Sequence, residues 1–240
     1  LPGMMSLFTP YPPRLPPDAG WVERRAALAM IITTEFFVED FGVFVAEAFA
    51  AIESARSEES EALMRAELAQ RLADAIILPA YKFLPMAQRV GFDVDALGRA
   101  ADGETALALR RLACLHGLGG PRTAQMSVDA SGRVTARRGA LDLTPRARML
   151  DCPVWPAHRA PPGGVLPLPV RDPEDNRALA VAWTRPDGMA SEMALFDADG
   201  AARTIYAALA AGKPADVGAE CRICAHQECR WRREASVVEV

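Results

Sequence analysis

The hydrophobic period of this chain changes once, at Gly117-Leu118-Gly119-Gly120-Pro121, and no other feature limits the fold as much. Before that point apolar residues recur at helical spacing: Phe37, Phe41, Phe44, Ala48 and Ile52, then Leu63, Leu68, Leu72 and Ile76, then Leu109, Leu112 and Leu115. After it the pattern alternates, as strands require. The expected fold class is therefore α+β, a helical N-terminal half followed by a small antiparallel sheet. With 240 residues, half of them apolar, the chain can bury a core without disulfides.

Local signals divide the chain further. Six prolines make residues 1–20 an extended arm, residues 21–118 read as a helical domain, and residues 119–240 read as an α+β sensor domain. Within the helical part, Trp21–Ser54 is one long helix, and a helix from about Pro79 to Val90 stops at Gly91. Asp93 caps a short helix, Asp102-Gly103 turns the chain, and Glu104–Leu115 forms a second helix, so that 93–115 has a helix-turn-helix outline. Past the switch, Arg122–Asp129 and Arg133–Arg138 form a hairpin around Ala130-Ser131-Gly132. Further strands are expected at Val165–Val170, Arg177–Thr184 and Ser191–Asp197, with Pro167 and Pro169 making the first an edge strand or an irregular segment. Ala201–Ala211 reads as a last helix.

Charge and composition exclude several functions. A net charge of −4 argues against general coating of nucleic-acid phosphates, which leaves only a local DNA contact. The apolar stretch Ala26–Ile52 contains Glu35, Glu39, Asp40 and Glu47, so it is not expected to span a membrane. With no signal-peptide pattern, the expected compartment is the cytoplasm. The Phe37, Phe41, Phe44 stripe suits a homodimer seam. No Gly-x-Ser-x-Gly or His-Glu-x-x-His occurs, and Cys114 and His116 stand two apart on a helix, facing different sides; no enzyme is expected.

The chemistry lies in the cysteines. Cys221, Cys224 and Cys229 make C-x2-C-x4-C, which lets three thiolates converge, and Cys152 is the candidate fourth ligand; Cys114 is the odd one out. Thiolates favour an iron–sulfur cluster or zinc. Pro153 after Cys152, Trp155 and Trp231 near the ligands, and Arg222, Arg230, Arg232 and Arg233 to offset charge favour a [4Fe–4S] cluster over zinc. His226 is the alternative ligand in a zinc site. A cluster of this kind would act as a redox sensor, whereas zinc would only pin the C-terminus in a structural or interaction protein.

The segments Cys152-Pro153-Val154-Trp155-Pro156-Ala157-His158-Arg159-Ala160 and Val217-Gly218-Ala219-Glu220-Cys221-Arg222-Ile223-Cys224-Ala225-His226-Gln227-Glu228-Cys229 resemble the C-terminal domain of the XRE-type short-chain fatty acyl-CoA regulators. Glu67–Leu115, with Ala75-Ile76-Ile77-Leu78-Pro79 and Arg110-Arg111-Leu112, resembles the tail of the ImmA/IrrE-like middle domain of those regulators. The resemblance implies transcription regulation, with short-chain acyl-CoA as a ligand and DNA or a DNA-binding protein as a partner. It covers about two-thirds of the chain, and only the cysteine segments are specific. The family's N-terminal helix-turn-helix has no counterpart in residues 1–20, which puts DNA binding by this chain itself in question. The absent His-Glu-x-x-His removes the peptidase chemistry of active ImmA/IrrE members.

Overall fold

The computed structural model describes residues 70, 71, 73–75, 77–145, 149–218, 220–224, 228–235 and 237. The chain divides into two units, Leu1–Tyr81 and Lys82–Val240. The described residues between 70 and 77 are helical; the Pro-rich arm, the Trp21–Ser54 helix and its phenylalanine stripe lie outside the described residues. Among the described residues no helix is long and apolar enough to cross a membrane.

Helix α1 (Ala80–Arg89) runs into Gly91, whose φ of +60° suits a residue without Cβ. Asp93 then caps α2 (Val94–Ala100), its carboxylate accepting from the Asp95 N–H, and Asp102-Gly103 turns the chain into α3 (Thr105–Leu112). The helix-turn-helix outline is present, but α3 buries Thr105, Leu107, Ala108, Leu109, Arg111 and Leu112. That helix lies on the sheet against β1 and β5, and so does not offer a free face to a DNA groove.

The sheet has six strands in the order β2-β1-β5-β4-β3-β6. They are β1 (Thr123–Asp129), β2 (Val134–Gly139), β3 (Val165–Arg171), β4 (Arg177–Thr184), β5 (Ala190–Phe196) and β6 (Ala215–Asp216). The expectation of an antiparallel sheet needs correction: β6 joins β3 in parallel at Val170 and Arg171, so the sheet is mixed. That pairing leaves most of the β3 edge open. The Arg171 carbonyl accepts from the Val217 N–H, so the polar groups of odd-numbered β3 residues face away from β4. Pro167 and Pro169 share that parity, and their missing N–H groups cost the β3–β4 ladder nothing. In the β1–β2 hairpin the Asp129 carboxylate accepts from the Ser131 and Arg133 N–H groups and from the Ser131 hydroxyl, and the register slips between Ser127 and Val128.

Alternation gives the sheet two different faces. Ala124, Met126, Val128, Met193 and Leu195 form a core with Leu150, Cys152, Val154, Trp155 and Val217, where each fully buried large side chain contributes about 1.5–3 kcal/mol. Gln125, Ser127 and Glu192 point the other way. Glu192 accepts from Ser127 Oγ at 2.7 Å and from the Gln125 amide, while Arg138 donates to Gln125 Oε1 at 2.8 Å. Burial pushes the Glu192 carboxyl up, against the pull of Ser127, Arg110, Arg138 and Gln125.

The expected helix at Ala201–Ala211 is two short helices, α4 (Ala198–Ala202) and α5 (Ala207–Ala210). Asp197 caps α4 through the Gly200 N–H, so the helix starts earlier than the apolar pattern suggests. Between the two, the Ile205 N–H donates to the Gly91 carbonyl, and Tyr206 Oη donates to Asp93 and accepts from the Val94 N–H. These tertiary hydrogen bonds redirect the backbone and break the helix.

Candidate metal centre

Cys152 opens the segment that covers the core face of the sheet, and it is 5% exposed. Trp155, three residues on, is buried beneath it and donates its indole Nε1–H to the Gly218 carbonyl at 2.8 Å. That bond crosses 63 residues of sequence and brings the Cys152 segment to the chain just before Cys221. The Cys152 sulfur accepts from the backbone N–H groups of Gly218 and Val154, which pull its pKa down, while burial, the larger effect, pushes it up.

Cys152, Cys221, Cys224 and Cys229 line one small cavity together with Pro153, Glu220, Trp231 and Arg232. Cys224 is buried and Cys221 and Cys229 are partly exposed. The Cys221 sulfur accepts from the Arg233 N–H at 3.3 Å. Gly218 has no room for a side chain, because a Cβ there would stand 2.8 Å from Cys224 Sγ. As they stand, no three His, Cys, Asp or Glu side chains among the described residues converge closely enough to hold an ion. The donor set nevertheless fits a thiolate-bound metal: four cysteines line one cavity, and the sulfurs of Cys152 and Cys221 accept N–H bonds of the type that surrounds such centres.

The remaining residues expected at the site divide. His226 lies outside the described residues. Cys114 is not on this cavity; its thiol contacts the Arg110 carbonyl at the end of α3. Trp231 is 45% exposed and stands beside two guanidinium groups, Arg230 at 5.1 Å and Arg159 at 5.9 Å from its ring centroid. Arg222 pairs with Glu234 at 3.8 Å on the surface. Near the hairpin, Arg138 is buried against Gln125 and Arg137 donates to the Pro145 carbonyl. Sequence reasoning missed Gly218 and Arg159; a glycine three residues before a CxxC was the available signal for the first.

A second cavity, of about 640 Å3, adjoins the first and shares Pro153, Glu220 and Cys221 with it. Ser131, Asp151, His158, Arg222, Arg233 and Glu234 add polar groups to its lining. Its size is in the range of small-molecule sites, and its walls are more polar than most.

Residues 123–239 match the sequence profile described as "Short-chain fatty acyl coenzyme A regulator, C-terminal". A curated relative, the propionyl-CoA carboxylase regulator of Cereibacter sphaeroides, is 28% identical over 200 residues, covering 76% of this chain and 43% of the relative. The chain thus spans less than half the length of that relative. Among solved structures, a Mycobacterium tuberculosis transcriptional regulator shares the fold, with a TM-score of 0.68 and 21% identity over 92% of this chain and 72% of its own. Residues 123–239, which hold the sheet, the Cys152 segment that covers it and the C-terminal cysteine loop, are thus similar to the C-terminal domain of the short-chain fatty acyl-coenzyme A regulators.

Proposed function

We propose that this protein is a non-enzymatic transcriptional regulator whose C-terminal domain holds a metal centre on Cys152, Cys221, Cys224 and Cys229 and responds to short-chain acyl-CoA. The observation that supports the reading is that four cysteines line one small cavity inside a segment that matches the acyl-CoA regulator profile. An iron–sulfur cluster is favoured, with Pro153 behind Cys152, Trp155 and Trp231 beside the thiols, and arginines near the charge. A bound cluster would supply a reversible, oxidation-sensitive charge. The larger cavity beside Cys221 supports a small-molecule ligand next to that centre. The partner in this reading is DNA or a DNA-binding protein, and the chain acts as a homodimer through Trp21–Ser54.

A zinc site is the second reading, favoured by the small size of the cavity between the thiols, which suits a single ion. Anaerobic purification with iron, sulfide and zinc analysis separates the two. A brown protein that air bleaches, with its residues from about Val217 onward then open to protease, supports the cluster; a colourless protein with stoichiometric zinc and unchanged digestion supports the second reading. Calorimetric titration with acetyl-CoA and propionyl-CoA tests the ligand, and no heat with either removes acyl-CoA from the proposal. Light scattering that finds a monomer at high concentration removes the dimer.

A further inference from the structure

One residue is tied to all three cysteines of the C-terminal loop, to two of them through its side chain. The Arg232 guanidinium donates from Nη1 to the Cys221 carbonyl at 2.5 Å and from Nη2 to the Cys224 carbonyl at 3.0 Å, and the Arg232 N–H donates to the Cys229 carbonyl at 3.0 Å. The same residue lines the cavity that the four sulfurs share. Arg222, Arg230 and Arg233 are exposed, whereas Arg232 is partly buried. A planar guanidinium reaches two carbonyls at once with its charge fixed, which a lysine ammonium on a flexible stem does not do.

We infer that Arg232 is the positioning residue of the cysteine centre: it holds the backbone of Cys221, Cys224 and Cys229 in one arrangement and sets a permanent positive charge against their sulfurs. Fixing a carbonyl fixes the adjacent peptide plane and so the direction in which each Cα presents its thiol. The clamp rests on hydrogen bonds alone; the charge effect rests on the reading of the cavity as a metal centre. Four thiolates in a partly buried space repel one another, and a guanidinium that never deprotonates reduces that cost. Outer partners of metal ligands typically change affinity by about 10–100-fold when removed.

The test compares Arg232→Met, Arg232→Lys and Arg185→Met in the full chain, because Arg185 is a surface charge paired with Asp187 and is not on the cysteine cavity. The metal-loaded proteins are challenged with EDTA and the release rate is followed. Arg232→Met and Arg232→Lys are expected to release metal at least about tenfold faster than the unmodified protein, and Arg185→Met within about twofold of it. Where the centre is iron–sulfur, Arg232→Met should lower its reduction potential by about 60 mV, the one-electron equivalent of tenfold, while Arg232→Lys keeps the potential and still releases fast. Equal release from Arg232→Met and Arg185→Met overturns the inference.

If the unmodified protein takes up no metal, the proposed function fails by itself, and the clamp is then read from iodoacetamide alkylation of Cys221 and Cys224. Both should react at least about tenfold faster in Arg232→Lys if the loop is released, and unchanged alkylation overturns the clamp. Arg232→Lys keeps the charge and most of the stem, so it also serves where Arg232→Met does not fold.

Discussion

Gly218→Ala probes the cysteine site through a single methyl group. The new Cβ would stand 2.8 Å from Cys224 Sγ and 3.2 Å from Cys224 Cβ, where ordinary contact begins at 3.4 Å. The sulfur must therefore retreat by about 0.6 Å, taking the difference 3.4 − 2.8. Thiolate–metal distances tolerate about 0.2 Å, so the shift exceeds what a coordination shell absorbs. For the fold itself the methyl is less serious. Overpacking costs about 1–3 kcal/mol, and the reduced freedom of the unfolded alanine chain offsets about 0.4–1 kcal/mol. The net loss is then about 0–2.6 kcal/mol, a Tm lower by at most about 10 °C for a chain of this size. The assay is metal content after purification, the rate of release to chelator, and a thermal melt of the metal-free form. The expected outcome is release at least about tenfold faster with only the modest change in Tm. Release at the unmodified rate would show that Cys224 does not bear on the centre, and would refute the argument.

Each of Cys152→Ser, Cys221→Ser, Cys224→Ser and Cys229→Ser should lose most of the metal, and Cys114→Ser should keep it; full retention in Cys152→Ser would point to His226 or His158 instead. Glu192→Gln tests the buried carboxylate. Its folded pKa is raised, so the folded state holds the proton over a pH window in which the unfolded state has released it, and stability falls as pH rises from about 4.5 through the folded value. The glutamine variant lacks that loss, so its stability relative to the unmodified protein should improve from acid toward neutral pH in paired thermal melts. A difference that does not vary with pH would falsify the assignment. Arg138→Ala removes the buried donor to Gln125 Oε1, and a loss of about 1.5–3 kcal/mol is expected in urea unfolding; an unchanged midpoint would mean that water replaces it.

What was legible along the chain was local. Gly91, Asp93 and Asp102-Gly103 mark turns by backbone preference alone, and a positive φ or a cap stands at each. The period-2 stretches became β1 to β5 within one or two residues, because one face of each had to be buried. The spacing of Cys221, Cys224 and Cys229 singled out three cysteines, the want of a fourth soft donor added Cys152, and all four line one cavity.

The order of the strands was not legible, nor was the parallel β6 edge, since two residues of sheet carry no periodicity and are held by the Val217 N–H bond to Arg171. The break between α4 and α5 was hidden for the same reason: Ala201–Ala211 is helical by composition, and only Gly91 and Asp93, more than a hundred residues away, pull Ile205 and Tyr206 out of it. Arginine shows the limit most clearly. Arg138 and Arg232 carry the same side chain as the exposed Arg230 and Arg233, yet one is buried on Gln125 and the other is bonded to cysteine carbonyls. Residue type supplies the charge and the five donors, but which arginine turns inward depends on where unsatisfied carbonyls lie in space, and only the tertiary structure decides that.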